Sequence, residues 1–417
     1  MADRTTDVGQ VTIRRWYGPT VSVSARSSPV RGACPGVADP MVTADGLLLR
    51  LRLPGGSIAS SGVRTVADVA DRFGSGVVEL TSRGNLQIRG LDQRDVDVVA
   101  ARLVASGLAR SEPAGDERRN VVASPLTGHD PSALIDLSRS TRHAADLLAQ
   151  DVLQGLPPKF SVVLDDGGSV PVRRVTADIS FGAVHADGGE VMVQVELGRP
   201  LDDAEWTVAC IPATDALRVM VVGARLCATH GERMAHLVER HGRADLVATM
   251  TGGAAVRWEN APAPSSVAKA PIGVLASDGD RVSIGAAPLL GRTSPEMLRA
   301  VADLADATSS LIRLTPWRGL VLLGVALAGA DRAGDELAKA GFSVDPADPA
   351  HLVSACTGLP GCQSARADTM RAAQGLLDGP SPIPSRVHLA GCEKRCGADA
   401  PVVLVADDHG SFGTLPS

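Results

Sequence analysis

Four of the seven cysteines crowd into 41 residues near the end of the chain, as Cys356-Thr-Gly-Leu-Pro-Gly-Cys362 and, 29 residues later, Cys392-Glu-Lys-Arg-Cys396. Four thiolates make a complete donor set, and thiolates are soft ligands suited to iron–sulfur clusters or to zinc. The two pairs have spacers of five and three residues, where zinc ribbons prefer two to four. Spacing therefore favours one [4Fe–4S] cluster on Cys356, Cys362, Cys392 and Cys396, with zinc as the inorganic alternative. Gly358, Gly361, Gly391 and Gly397 flank the cysteines and let backbone amides approach the sulfurs, where hydrogen bonds tune a cluster's potential. The plainer reading, four buried core cysteines, fits poorly, because these are gathered among glycines rather than scattered. It does fit Cys210 and Cys227, which stand in apolar stretches. Cys34, within Arg31-Gly-Ala-Cys-Pro-Gly36, is expected in a turn near a site without being assigned as a ligand.

Such a centre needs a folded scaffold. A chain of 417 residues suggests two or three domains at about 100–200 residues each, so a disulfide framework is unnecessary. Apolar residues at 44% and charged residues at 21% are ordinary for a globular protein. A net charge of −6 provides no basic field for a phosphate backbone, and ten aromatic residues offer little for base stacking, so nucleic acid is not expected as a partner. No apolar window approaches the roughly 20 residues of a membrane span, and MADRTTDVGQ lacks the apolar core of a secretion signal. A cytoplasmic location is expected, where thiols persist as metal ligands or catalytic groups.

The chain also repeats itself. Val66-Ala-Asp-Val-Ala-Asp71 returns as Val301-Ala-Asp-Leu-Ala-Asp306, and each copy leads into a Leu-Thr pair, Leu80-Thr81 and Leu314-Thr315. In the first copy, strands are expected over 47–53, 77–80 and 86–88, with a helix from Thr65 to about Phe73 and another from Asp92. In the second, strands are expected over 281–284, 311–314 and 320–323, with Ser294-Pro295 opening one helix and 331–340 forming the next. That order predicts an α+β fold with helices on one face of a mainly antiparallel sheet, built twice about a pseudo-twofold axis. The expected divisions are an extension at 1–30, a first half-domain at 31–112, and a core without cluster cysteines at 113–258. A Pro/Ala/Ser-rich linker at 259–271, a second half-domain at 272–345 and the cluster-bearing core at 346–417 complete the chain.

Over roughly 31–417 the sequence resembles the siroheme nitrite and sulfite reductase superfamily, in which duplicated ferredoxin-like half-domains alternate with two core domains. The resemblance is carried by the two cysteine pairs, Thr81-Ser-Arg-Gly-Asn-Leu-Gln87, Arg119-Asn-Val121 and Leu156-Pro-Pro-Lys-Phe160. Within it, Arg31-Gly-Ala-Cys-Pro-Gly36, Asp45-Gly-Leu-Leu48 and Arg313-Leu-Thr-Pro-Trp-Arg-Gly319 are similar to the precorrin-3B synthase branch. That likeness implies O2-dependent oxidation of precorrin-3A in aerobic cobalamin biosynthesis, with C20 hydroxylation and closure of a γ-lactone. The alternative is a siroheme-dependent sulfite or nitrite reductase, and a third class is a non-catalytic tetrapyrrole or cluster carrier.

Siroheme and precorrin-3A are both tetrapyrroles bearing eight carboxylates, and guanidinium forks suit carboxylates. The resemblance places Arg83, Asn85, Gln87, Arg119, Lys159 and Arg318 at the tetrapyrrole, with Lys394 and Arg395 as further cations, although a lone surface arginine is ordinarily only a solvated charge. One departure separates the branches. Where sulfite reductases have Lys-Phe-Lys, this chain reads Lys159-Phe160-Ser161, which removes a cation that would bind an oxyanion substrate. An oxygenase also implies a second metal, a non-haem iron, but His129, His185, His230, His351 and His388 form no recognisable ligand motif and catalytic residues stay unassigned. With no GxGxxG fingerprint, electrons are expected from an external donor such as a ferredoxin.

Overall fold

The computed structural model describes residues 35–186, 189–198, 208–253, 256–258, 270–398 and 400–414. Cys34, the 1–30 extension and most of the 259–271 linker lie outside the described residues.

The repeated hexapeptide acts as two matching halves of one interface. It sits in the helices Ser60–Phe73 and Pro295–Thr308, where Val66, Ala67 and Ala70 of the first and Val301, Ala302 and Ala305 of the second are buried. The acidic residues of each copy face the other helix. Arg64 lies 2.7 Å from both Asp303 and Asp306, and Arg299 lies 2.9 Å from Asp68 and 2.8 Å from Asp71. These ion pairs are substantially exposed, so they set register more than they stabilise. Ser294 caps the second helix as expected, its Oγ accepting from Met297 N at 3.3 Å. The first helix begins at Ser60 rather than Thr65. The Thr65 hydroxyl donates inward to the Ser61 carbonyl at 3.0 Å, because Gly62 and Val63 continue the buried face one turn earlier.

Each repeat forms an antiparallel sheet, and the two sheets exchange an edge. The first orders Met41–Thr43, Gly46–Leu51, Leu86–Leu91 and Val78–Leu80, then borrows Arg292–Thr293 from the second repeat. The second orders Gly273–Asp278, Arg281–Pro288, Leu320–Ala326 and Leu311–Leu314, then borrows Ser57–Ile58 from the first. Two glycines let the crossing chains touch. A Cβ on Gly56, whose φ is +72°, would lie 2.0 Å from the Leu314 carbonyl oxygen, and its counterpart Gly291 passes the Leu80 carbonyl in the same way at 3.2 Å. One apolar core unites Val66, Leu86 and Ile88 with Ile284, Val301 and Leu322. The half-domains expected from the repeat are thus two halves of one body.

The cores repeat as well. The first orders Val121–Ala123, Val162–Asp165 and Ile179–His185 in parallel, then Val191–Leu197, Val208–Pro212 and Val256–Trp258 antiparallel. The second runs Val353–Ala355, Val387–Ala390 and Val402–Ala406 in parallel, then Phe412–Thr414 antiparallel. It reproduces the first four strands of its partner, with the helix Thr369–Leu377 in the place of Ser138–Leu148. The fold is α+β, with duplicated ferredoxin-like halves and paired cores. Among the described residues, no helix is long and apolar enough to cross a membrane.

Candidate metal centre and anion-binding face

Both cysteine pairs stand in loops at the ends of neighbouring parallel strands. Val353–Ala355 runs straight into Cys356, whose amide donates to the Leu389 carbonyl at 3.0 Å. Val387–Ala390 leads into Gly391, whose amide donates to the Cys356 sulfur at 3.1 Å, the kind of contact that tunes thiolate ligands. The loops are tied together by Arg366 N, which donates to the Gly391 carbonyl at 2.8 Å, and by the Thr369 hydroxyl, which donates to the Cys356 carbonyl at 2.7 Å.

The Cys396 residue is exposed, yet its thiol is held above the ordinary range. Local desolvation of the sulfur is the largest cause, followed by the fields of Cys392, Cys356 and Cys362. All four thiols therefore share one neighbourhood. Among the described residues, however, no three Cys, His, Asp or Glu side chains close on one point as ligands of a single metal ion. Soft thiolate donors in two loops with five- and three-residue spacers are the ligand type that iron–sulfur clusters take. The donor set fits a [4Fe–4S] cluster. The lack of convergence on one point leaves the expected non-haem iron without a ligand set among the described residues.

Three arginines of the half-domain body hold this centre by its carbonyls. Arg89 is 4% exposed and donates to both Asp45 oxygens at 3.0 and 2.8 Å and to the Gly361 carbonyl at 2.7 Å. Burial works against its charge, and Asp45 and Glu79 more than restore it, so its pKa rises while that of Asp45 falls. Arg292, on the exchanged strand, donates to the Thr357 carbonyl at 3.2 Å and pairs with Glu79 at 3.1 Å. Arg318 donates to the Ala355 carbonyl at 2.9 Å and to the Gly397 carbonyl at 3.2 Å. Arg89 and Arg292 were not singled out in the sequence. The only signal for Arg89 was its place two residues beyond Gln87, and Arg292 had none.

His388 is fully buried beneath the centre, with Nδ1 2.9 Å from the Ser354 hydroxyl. Burial, and then the Arg318 charge, push it down to about 4 against a weak pull from the Cys396 backbone, so the ring is neutral at pH 7.

The residues expected at a tetrapyrrole divide into two kinds. Asn85 is buried and braces the fold. Its Oδ1 accepts from Leu53 N at 2.8 Å, its Nδ2 donates to Asn120 Oδ1 at 3.4 Å, and Asn120 Nδ2 donates to the Phe160 carbonyl at 3.4 Å. That chain of amides draws together the Thr81–Gln87, Arg119–Val121 and Leu156–Phe160 motifs, which are far apart in sequence. Gln87 accepts from Arg50 and donates to Glu79 at 3.0 Å within its sheet. Arg119 pairs with Asp116 and also donates to the Leu108 carbonyl at 3.3 Å. Arg83 is half-buried on the turn before Leu86–Leu91, and Lys159 is exposed on the turn before Val162–Asp165. Lys394 donates to the Ser364 hydroxyl at 2.8 Å, and Arg395 takes a φ of 47° in the cysteine loop.

In the first core, loops 124–130 and 165–169 occupy the topological places of the two cysteine loops, but carry carboxylates. Asp166 is 1% exposed, and burial raises it to about 6, with Asp165 and Asp130 adding to the rise. Burial also raises Asp165. Arg313 of the second half holds this loop by the carbonyls of Pro125 and Thr127, both at 2.9 Å. Arg89 of the first half and Arg313 of the second therefore reach crosswise, each gripping the core that follows the other repeat.

The sequence profile of the nitrite/sulfite reductase ferredoxin-like half domain matches this chain twice, over residues 40–106 and 275–340. The chain is 31% identical over 390 residues to a precorrin-3B synthase of Sinorhizobium sp, covering 90% of this chain and 80% of the relative. It is 27% identical over 375 residues to sulfite reductase [ferredoxin] 2 of Mycolicibacterium paratuberculosis, covering 84% and 67%. The solved structure of the Mycobacterium tuberculosis NirA protein shares the fold with a TM-score of 0.72 at 23% identity, covering 88% of this chain and 72% of that one.

Proposed function

Since the chain belongs to the nitrite and sulfite reductase superfamily, as an oxidoreductase of that group, we propose that it converts precorrin-3A to precorrin-3B with O2 in aerobic cobalamin biosynthesis. One oxygen atom would enter the macrocycle as the C20 hydroxyl and the other would leave as water. The two electrons required would come from an external donor such as a ferredoxin. The observation that carries this reading is the 31% identity to a precorrin-3B synthase across 90% of the chain.

In this proposal Cys356, Cys362, Cys392 and Cys396 hold a [4Fe–4S] cluster, which supplies single electrons when bound. Lys159 and Arg83 bind substrate carboxylates from the turns that the Asn85–Asn120–Phe160 bracket draws together. Arg119, anchored by Asp116, adds a fixed cation beside them. The protein's share of the catalysis is to fix the orientation of C20 and the ring A acetate and to exclude water.

Ser161 supports the oxygenase over a siroheme-dependent reductase. It stands where sulfite reductases resemble a second lysine, and it is 1% exposed with its amide bound to Asp178 Oδ2 at 2.9 Å. A solvated cation has no place there, so the chain lacks that charge for neutralising sulfite or nitrite.

Anaerobically purified protein, incubated with precorrin-3A, a reductant and 18O2, tests the proposal. The expected result is 18O in the tetrapyrrole product, made by a protein that contains iron and sulfide but no bound porphyrinoid. A tightly bound green siroheme together with sulfite or nitrite reduction would overturn it.

A further inference from the structure

We infer that Arg318 is a positioning residue for the cluster: its guanidinium bridges the chain on either side of the centre, and its charge sets the reduction potential. The inference rests on reading the four cysteines as cluster ligands.

The bridge is specific. Nη1 donates to the carbonyl of Ala355, directly before Cys356, and Nη2 to that of Gly397, directly after Cys396. One side chain from the second half-domain therefore spans the outer ends of both cysteine loops. Its surroundings are shaped to admit it. A Cβ on Gly397 would lie 2.6 Å from Arg318 Nη2, and a Cβ on Gly291 would lie 2.8 Å from Arg318 Cβ. The backbone of Arg318 takes a φ of 57°, a conformation that L-residues seldom adopt.

Reducing the cluster by one electron adds a negative charge to the centre. A guanidinium held beside two of its ligands at a part-buried position stabilises that charge more than it would in water. Because two nitrogens of Arg318 are committed to main-chain carbonyls, its geometry suits the cluster better than the carboxylate fork first expected of it.

The test compares wild type, Arg318→Met and Arg318→Lys, each purified anaerobically with iron and sulfide counted. Their midpoints are read by EPR during a mediated titration with dithionite. At the wild-type midpoint, R318M should show at least a tenfold lower ratio of reduced to oxidised cluster, a shift of about 59 mV for a one-electron couple. R318K, which keeps the charge, should stay within about threefold of wild type, which is less than half that shift. An R318M cluster with full iron, full sulfide and an unchanged midpoint would overturn the inference, as would an R318K midpoint as low as that of R318M. Should R318M not retain its cluster, Arg318→Gln, which keeps a donor without the charge, is judged by the same midpoints. A wild-type chain without iron or sulfide would instead bring down the cluster reading, and this inference with it.

Discussion

Arg89 Nη2 donates to the carbonyl of Gly361 at 2.7 Å, joining residues 272 apart in sequence and tying a strand of the first half-domain to the Cys356–Cys362 loop. Asp45 and Glu79 are the partners that make this burial tolerable. Replacing Arg89 with Met leaves Asp45 partly buried without its cation and Glu79 with Arg292 as its remaining one, and breaking a buried pair in this way destabilises by about 3–5 kcal/mol. Arg89→Met should unfold at lower denaturant and lose iron faster to a chelator. Arg89→Lys, able to pair only as a point charge, should fall between, as urea midpoints and iron-release rates will show.

The cysteines should separate by chemistry. Cys227 is fully buried and its thiol is pushed up to about 12, while burial also raises Cys210. Neither is reactive at neutral pH. Serine at any of Cys356, Cys362, Cys392 or Cys396 should abolish the visible iron–sulfur absorption and the activity together, whereas Cys210→Ser and Cys227→Ser should keep both. Iodoacetamide labelling of metal-free protein, followed by peptide mass mapping, should mark the first four and spare the other two.

Much of this architecture was legible in the chain because it is written locally. The repeated hexapeptide, the Ser294-Pro295 cap and the alternating strands each announce themselves over a few residues. The cysteine pairs are legible for the same reason, since a cluster needs a fixed residue type at short spacing. The exchange of Ser57–Ile58 and Arg292–Thr293 between sheets was not legible, because a two-residue strand carries no period. Nor were Arg89 and Arg292, whose contacts with the cysteine loop are to main-chain carbonyls and so leave no residue type there to match. Asn85 and Gln87 stood out by motif, but their amides are spent on the scaffold itself.

The crossing of the two halves depends on Gly56. Alanine there would need a positive φ and would push its Cβ to 2.0 Å from the Leu314 carbonyl oxygen, which is backbone and cannot swing aside. Gly76 has a φ of +77° but open space around it, so it reports the conformational penalty alone. Gly76→Ala should destabilise by about 1–3 kcal/mol, the usual range for a strained backbone. Gly56→Ala should exceed it clearly, and equilibrium unfolding of the two variants side by side will show whether steric conflict adds to strain.

Asp166 should make stability depend on pH in a sense opposite to that of most carboxylates. Its folded value of about 6 lies above the ordinary 3.8, so the folded chain binds this proton more tightly than the unfolded chain does. Stability from this group is fully present below 3.8 and is lost as pH rises towards 6. Asp166→Asn should therefore be more stable than wild type at pH 7–8, by an amount on the order of 1–3 kcal/mol. The difference between the two proteins should shrink to nearly nothing below about pH 4. Paired denaturation curves across that range measure the difference directly, and cancel the opposite contributions of Asp45 and Asp130, whose pKa values are lowered.

Asn85 and Lys159 come from neighbouring motifs yet should fail in different ways. Removing the Asn85 amide strands the buried Leu53 N–H and cuts the link to Asn120, so Asn85→Ala should lose about 1–3 kcal/mol of stability. Any weakening of tetrapyrrole binding in that variant would follow from the loosened turn. Lys159 is exposed, so Lys159→Ala should leave the unfolding transition within about 0.5 kcal/mol of wild type. Its effect should appear as a raised KM for precorrin-3A with kcat nearly unchanged, the signature of lost uniform binding. Rising salt should shrink the gap between Lys159→Ala and wild type, because an exposed ammonium meeting a carboxylate is screened. Should Lys159→Ala bind the macrocycle as tightly as wild type at low salt, the anion-binding face would have to lie elsewhere.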